Sequence, residues 1–203
     1  MSDGVAAPRA RPRVLLTNDD GWDADGLAAV AEVISGFAEL LVVAPRRQQS
    51  AVGHAITLHD HVEVEEAQMP FAAQGWIVDG TPADCVKIGI RALYADDPPA
   101  LVVSGMNNGP NVGVNVLYSG TVGAALESTI NGVQAVAVSK EFGENLTYRA
   151  AAALLRPILE RLMSRPLPEW HILNVNFPDV RPDAIAGTKL TRHGVSGFDE
   201  RYA

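Results

Sequence analysis

The chain has 203 residues, with 16 Lys+Arg against 24 Asp+Glu, for a formal net charge of −8. That length suits one domain, and 47% hydrophobic with 20% charged residues excludes wholesale disorder. The acidic balance argues against broad binding to a nucleic-acid polymer or an anionic membrane; one cysteine excludes an internal disulfide, and no apolar run reaches the ~18–20 residues of a membrane span.

Residues 1–12 carry Pro8, Pro12, Arg9 and Arg11 and no apolar signal core. They predict a disordered N-terminal tail on a cytoplasmic protein, and the lone cysteine fits a reducing compartment. Val14–Thr17 then predicts a first strand. Asp25–Phe37 predicts a helix with Leu27, Val30, Ala31 and Ile34 on one face, and Leu40–Ala44 a second strand. His54–Glu66 alternates Ile56, Leu58, Val62 and Val64, which with Trp76–Val78 predicts a β-excursion. Pro82–Leu93 reads as a helix, with Thr81 at the N-cap, Pro82 at N1 and an apolar face that includes Cys85. Leu101–Ser104, Ala135–Ser139 and Ile172–Asn176 predict further strands, apolar on both faces as in the centre of a parallel sheet. Thr121–Ile130 and Leu146–Met163 predict helices, the second kinked or divided near Pro157. After Pro178 the chain turns polar, with one strand-like piece at Lys189–Thr191. The alternation predicts an α/β fold, a doubly wound, mostly parallel sheet. Three segments follow: the tail 1–12, an α/β catalytic core 13–180, and the start of a C-terminal extension 181–203.

In open α/β sheets ligands sit beyond the carboxyl ends of the strands. The first strand is followed there by Asn18-Asp19-Asp20-Gly21, the second by Pro45-Arg46-Arg47-Gln48-Gln49-Ser50, and the third by Gly105-Met106-Asn107-Asn108-Gly109-Pro110-Asn111. Adjacent carboxylates repel unless they are separated, solvated or bridged by a cation. Bridged, Asp19 and Asp20 make a hard-oxygen site for Mg²⁺ or Mn²⁺, with Ser50 and Asn107 as neutral co-ligands. The competing explanation is an ordinary turn and helix cap. Tyr118-Ser119-Gly120-Thr121 leads directly into a helix, whose free N–H groups and positive dipole end suit a phosphate. An ordinary Ser/Thr N-cap explains the same residues, but the preceding loop is unusually rich in Gly and Asn.

Other polar residues weigh less. His59 and His61 would share one face of a strand, but no third ligand is visible. His54, His171 and His193 are isolated. Arg46 and Arg47 either attract an anion or form a solvated loop. Cys85 reads as core packing. There is no Gly-x-Ser-x-Gly elbow, no Walker A sequence and no GxGxxG after the first strand, where acidic side chains would repel a pyrophosphate.

Six segments in register resemble the survival protein E (SurE) family of 5'-nucleotidases. They are Leu16–Gly21, Val43–Ser50, Gly80–Val86, Val103–Asn107, Gly109–Asn111 and Tyr118–Thr121. The resemblance implies a Rossmann-like core and a metal-dependent phosphatase acting on nucleoside monophosphates, with some tolerance for other phosphoesters. It implies one divalent cation per subunit, held by Asp19, Asp20, Ser50 and Asn107. Asn111, Ser119, Gly120 and Thr121 match phosphate-contacting positions, and Asp19, Asp20, Asn107 and Asn111 are the implied catalytic set. The family's C-terminal β extension serves dimer and tetramer assembly. This chain departs from the pattern at Asn108 and at Trp22–Asp25, and it stops at Ala203, so the extension reads as shortened; a homodimer or homotetramer is expected where the extension is present. The alternatives are a non-catalytic metal- or phosphate-binding module and an inactive member of the family. Against a receiver-like module, Ser104 and Ser139 stand where a phosphoacceptor Asp would be needed.

Overall fold

The apolar runs pair as strands because their β-branched residues fill both sides of one sheet. The computed structural model describes residues 11–69 and 71–196. Its strands are β1 (Arg13–Thr17), β2 (Glu39–Pro45), β3 (Val64–Met69), β4 (Ala72–Val78), β5 (Leu101–Asn108), β6 (Ala135–Lys140) and β7 (Ile172–Phe177). They form one sheet in the order β3-β4-β2-β1-β5-β6-β7, parallel except for β3, which runs antiparallel to β4. The chain winds outward from β1 in one direction and from β5 in the other. The switch point therefore lies between these two neighbours, where doubly wound folds place their ligands.

Helices α1 (Asp25–Ser35) and α5 (Tyr148–Ser164) cover one face; α2 (Pro82–Ile88) and α4 (Gly120–Ile130) cover the other, and the short α3 (Asn115–Tyr118) precedes α4. Alternation along β1 feeds both layers. Val14 and Leu16 pack with Leu27, Val30, Ile34, Leu155 and Leu159, while Leu15 packs with Cys85, Val86, Val122 and Ala125. Close approach fixes the two helix seats. A Cβ at Gly26 would lie 2.1 Å from the Met106 carbonyl oxygen, and one at Gly89 would lie 2.4 Å from Leu15 Cδ1.

The structure shifts several expected boundaries. The β-excursion is a hairpin of β3 and β4 over 64–78; residues 54–63 are loop, so His59 and His61 share no strand face. Helix α2 runs into a π-turn at Gly89–Leu93, closed by Tyr94 N–H donating to Gly89 O at 3.0 Å. Helix α5 runs unbroken through Pro157, which lies on its exposed side, where water can serve the Ala153 carbonyl that a Pro leaves without an N–H. Lys189–Thr191 is irregular, with no strand partner among the described residues. Of the expected tail, residues 1–10 lie outside the described residues, as do 197–203 of the C-terminal segment. Residues 11 and 12 are anchored: Arg11 donates to Ser35 O at 2.6 Å and Pro12 O accepts from Glu39 N–H at 2.8 Å. Among the described residues no helix is long and apolar enough to cross a membrane.

Candidate active site

The turn after β1 is built by Asn18. This wholly buried side chain donates to Gly21 O at 2.8 Å and accepts from Gly21 N–H at 3.3 Å. Gly21 has φ +112°, a conformation that L side chains rarely adopt. The folded turn leaves Asp19 and Asp20 at the carboxyl end of β1, beside the switch point.

Three other segments converge on these carboxylates. From the loop after β2, Gln49 N–H donates to the Asp19 carbonyl at 2.7 Å, and Gln48 Nε2 donates to Asp20 Oδ1 at 3.3 Å. Ser50 follows immediately, and its neighbour Ala51 holds φ 58°, an uncommon conformation for a residue with a Cβ. From α4, Thr121 Oγ1 donates to Asp19 Oδ1 at 2.6 Å. Gly120 lies so close that a Cβ there would be 3.0 Å from Asp19 Cβ and 3.2 Å from Gln49 O. From β5, the Asn108 N–H donates to Asp20.

Asn107 reaches this edge through an irregularity in the sheet. Ser104 pairs with Ala137, but the next partners are Asn107 and Ser139, so β5 carries one extra residue. Gly105 accommodates it at φ +132°, where a Cβ would lie 2.2 Å from Val138 O. Asn107 Nδ2 donates to Gly109 O at 2.7 Å, which leaves its carbonyl oxygen as the end available to a ligand.

Asn111 is fixed from β6 and β7. Its Nδ2 donates to Ser139 Oγ and its N–H to Asn176 Oδ1, both at 2.8 Å. Its carbonyl accepts from Asn174 Nδ2 at 2.8 Å and Asn176 Nδ2 at 3.3 Å. Ser119 caps α4 by accepting from Val122 N–H at 3.1 Å, which leaves its own hydroxyl proton free to donate. The Thr121 hydroxyl, at the start of α4, is committed to Asp19.

The charge balance at this edge is unusual. Burial pushes the Asp19 carboxyl up to about 6, and the neighbouring Asp20 charge adds to the rise; the Thr121 hydroxyl and the N–H groups of Asp19 and Thr121 offset only part of it. Burial also raises Asp20. Among the described residues neither carboxylate pairs with a Lys or Arg. Arg13 pairs with Glu39 at 2.9 Å, and Arg46, in the loop after β2, donates to Glu65 at 2.8 Å. No three His, Cys, Asp or Glu side chains cluster among the described residues, and His59 and His61 gain no third ligand. Two carboxylates, a serine hydroxyl and an amide oxygen are hard donors, and they fit Mg²⁺ or Mn²⁺ better than a soft metal.

The sequence did not single out several supporting residues. Asn174 and Asn176 are polar breaks in an apolar strand, which is the signal that could have found them; in sequence Ser139 reads only as a strand end lacking a phosphoacceptor Asp, not as a support for Asn111. Asp84 accepts from Thr57 N–H at 2.9 Å, Thr57 Oγ1 at 2.7 Å and Thr81 N–H at 3.0 Å, and Thr81 Oγ1 accepts from Asp84 N–H at 3.1 Å. This reciprocal cap is visible in sequence as Thr81-x-x-Asp84. His54 is not isolated: Nε2 meets the buried Glu127 Oε2 at 2.8 Å, so the loop after Ser50 is fastened over α4.

The sequence model of the family described as "Survival protein SurE" matches residues 14–200. The chain belongs to the SurE family. That span runs from β1 through β7, so every strand end contributing to the site lies inside the family's range. A SurE relative from Heliobacterium modesticaldum, named 5'-nucleotidase SurE, is 46% identical over 90% of this chain and 67% of its own length. A protein of the same name from Carboxydothermus hydrogenoformans is 46% identical over 93% of this chain and 75% of its own. The crystal structure of the SurE protein from Aquifex aeolicus superposes with a TM-score of 0.84 at 38% identity, covering 94% of this chain and 75% of that one.

Proposed function

We propose that this SurE-family chain is a divalent-cation-dependent phosphomonoesterase that hydrolyses nucleoside monophosphates, as a 5'-nucleotidase with some tolerance for 3'-monophosphates and other phosphoesters. One observation carries the reading. Two partly desolvated carboxylates meet at the switch point beside the start of an 11-residue helix, and among the described residues no cationic side chain pairs with either. The names of the relatives agree with it. Asp19, Asp20, Ser50 and the carbonyl oxygen of Asn107 would hold one cation, Mg²⁺ or Mn²⁺. When bound, such a cation neutralises phosphate oxygens and lowers the pKa of a coordinated water.

The chain's own groups supply the rest. Asn111 has one amide N–H on Ser139 Oγ and a second free to donate to a phosphoryl oxygen. The Ser119 hydroxyl and the first N–H groups of α4 offer donors where negative charge gathers. Gly120, lacking a Cβ, keeps the space beside Asp19 open. Thr121 fixes the orientation of Asp19. Asp19 or Asp20 would orient the attacking water or take its proton. The acidic surface suits this role because the positive charge comes from a cation and a helix end. Homodimeric or homotetrameric assembly belongs to the same reading.

The test is phosphate release by the purified chain from nucleoside 5'- and 3'-monophosphates, with and without EDTA. Release from 5'-monophosphates that EDTA abolishes and Mn²⁺ or Mg²⁺ restores is expected. No release with any divalent cation would overturn the proposal in favour of a binding module or an inactive member.

A further inference from the structure

The loop that carries Ser50 lies along one stripe of α4. Gly120, Gly123 and Glu127 are spaced i, i+3, i+7 and so share a helix face. A Cβ at Gly120 would lie 3.2 Å from Gln49 O, and one at Gly123 would lie 2.4 Å from Gly53 O. Gly53 N–H donates to Tyr118 O at 2.8 Å, just before the helix starts. His54 Nε2 then meets Glu127 Oε2 at 2.8 Å and closes the stripe.

This latch is built from the helix side. Glu127 is 5% exposed, and Asn131 Nδ2 donates to its other oxygen, Oε1, at 2.9 Å. Asn131 is held in turn by Arg91, whose Nε donates to its Oδ1 at 2.6 Å. A carboxylate accepts only, so His54 Nε2 carries the proton and donates it. Ser50, by contrast, is exposed, and among the described residues no hydrogen bond holds its side chain. Beside it Ala51 holds φ 58°, a conformation that persists only where the surroundings enforce it. The place of Ser50 therefore depends on the backbone at its two sides. Before it, Gln49 N–H is fixed on the Asp19 carbonyl; after it, the nearest side-chain fastening is His54 on Glu127. Glu127 lies roughly 10 Å along α4 from Gly120, at about 1.5 Å per residue, so the latch sits away from the phosphate end of the helix.

We infer that His54 is a positioning residue for the cation site: its bond to Glu127 holds the strained turn at Ala51 and so presents the Ser50 hydroxyl to the cation shared with Asp19, Asp20 and Asn107. The inference rests on the proposed cation site. It makes cation affinity depend on a side chain that is not a ligand, and only through Ser50.

The experiment is a Mn²⁺ titration of the full chain, read by electron paramagnetic resonance as loss of the free aqueous Mn²⁺ signal. His54→Ala should weaken Mn²⁺ binding about tenfold, the usual scale for a group that orients a metal ligand. His54→Asn, too short to reach Glu127, should weaken it equally and serves where the Ala variant does not fold. His54→Gln, whose Nε2 still donates to Glu127, should stay within about twofold of the parent. The double variant decides the matter. Ser50→Ala alone should lose affinity, and adding His54→Ala to it should cost nothing more, because both changes remove one contact. A latch that only stabilised the fold would lower Tm and leave Mn²⁺ affinity alone. His54→Ala and His54→Asn binding like the parent, Ser50→Ala binding like the parent, or a His54→Ala loss that persists in full on Ser50→Ala would each overturn the inference. Asp19→Asn separates the two levels. If it binds Mn²⁺ as tightly as the parent, the cation site fails and the latch with it; if it loses Mn²⁺ while His54→Ala keeps it, the latch alone fails.

Discussion

Asp19 and Asp84 are both almost withdrawn from solvent, at 6% and 4% exposure, and their surroundings drive them in opposite directions. Around Asp84, burial raises the carboxyl, but hydrogen bonds from the N–H groups of Thr57 and Thr81 and from the Thr57 hydroxyl outweigh it and hold the group below the usual carboxylate range. Around Asp19, burial wins and the neighbouring Asp20 adds to it, so the group rises to about 6. Both sit where a helix begins. One is answered by the protein itself, in a cap that ties the loop at Thr57 to α2. The other keeps a deficit that an external charge would remove. A buried carboxylate alone therefore marks neither structure nor catalysis; the balance between its donors and its desolvation does.

The sharpest way to break this comparison is to neutralise each carboxylate in turn. Asp19→Asn should lower phosphate release by about 10³-fold or more, because it removes a charged cation ligand and one of the two carboxylates that can take the water's proton. Circular dichroism should show the fold retained, since an asparagine oxygen still accepts from Thr121. Asp84→Asn should keep turnover within about tenfold of the parent, because Asp84 touches no reacting atom. Asp84→Ala goes further. It removes the cap and leaves the Thr57 and Thr81 N–H groups without an acceptor, at a cost of about 2–3 kcal/mol. A Tm drop of about 5–10 °C in calorimetry would check it.

Acid and base should separate the two regions next. The Asp19 carboxyl titrates at about 6 in the folded chain against an ordinary 3.8, so in EDTA the folded state keeps a proton that the unfolded chain has lost. That contribution is complete below about pH 4 and gone above about pH 6. Asp19→Asn in EDTA should therefore gain about 1–2 kcal/mol at pH 7 and lose the stability slope between pH 4 and 6. Asp84 works with the opposite sign. Its contribution is complete above the ordinary carboxylate range and disappears as pH falls through its lowered folded value, so the acid limb should flatten in Asp84→Asn. Urea melts from pH 3 to 8 read both effects; an unchanged slope between pH 4 and 6 in Asp19→Asn would remove the contrast.

The comparison also explains what was legible in the sequence. Parallel strands are apolar on both faces, so β1, β2, β5, β6 and β7 are visible as runs, and the fold rule then points to the residues just beyond them. Asp19, Asp20 and the loops with Ser50 and Asn107 follow directly. The β-excursion was visible but displaced, because alternation across 54–63 belongs to a loop fastened at His54 to α4 and at Thr57 to the start of α2, not to a strand. Lys189–Thr191 has strand composition but no strand partner among the described residues, and composition alone does not supply one. The His54–Glu127 contact joins residues 73 apart and exists only once the loop lies over α4. Thr121 was legible as a helix start, but its commitment to Asp19 spans 102 residues and needed the fold.

Asn111 gives the smallest and most local test of how the catalytic edge is supported. Its N–H and carbonyl are both held by Asn176, and its carbonyl also by Asn174, two residues on one face of β7. Local periodicity shows those asparagines as interruptions, while the contact that explains them is more than 60 residues away in sequence. Asn176→Ala removes the acceptor for the Asn111 N–H but leaves the Asn174 bond and the Asn111–Ser139 bond in place. The fold should lose about 1 kcal/mol. If Asn111 positions a phosphoryl oxygen, its loosened backbone should lower kcat/KM by about threefold to tenfold, with cation affinity unchanged, because Asp19, Asp20, Ser50 and Asn107 are untouched. Steady-state kinetics with Mn²⁺ titration reads the two quantities separately. A shift in cation affinity alone would move Asn111 out of the phosphate contacts and into the support of the metal ligands.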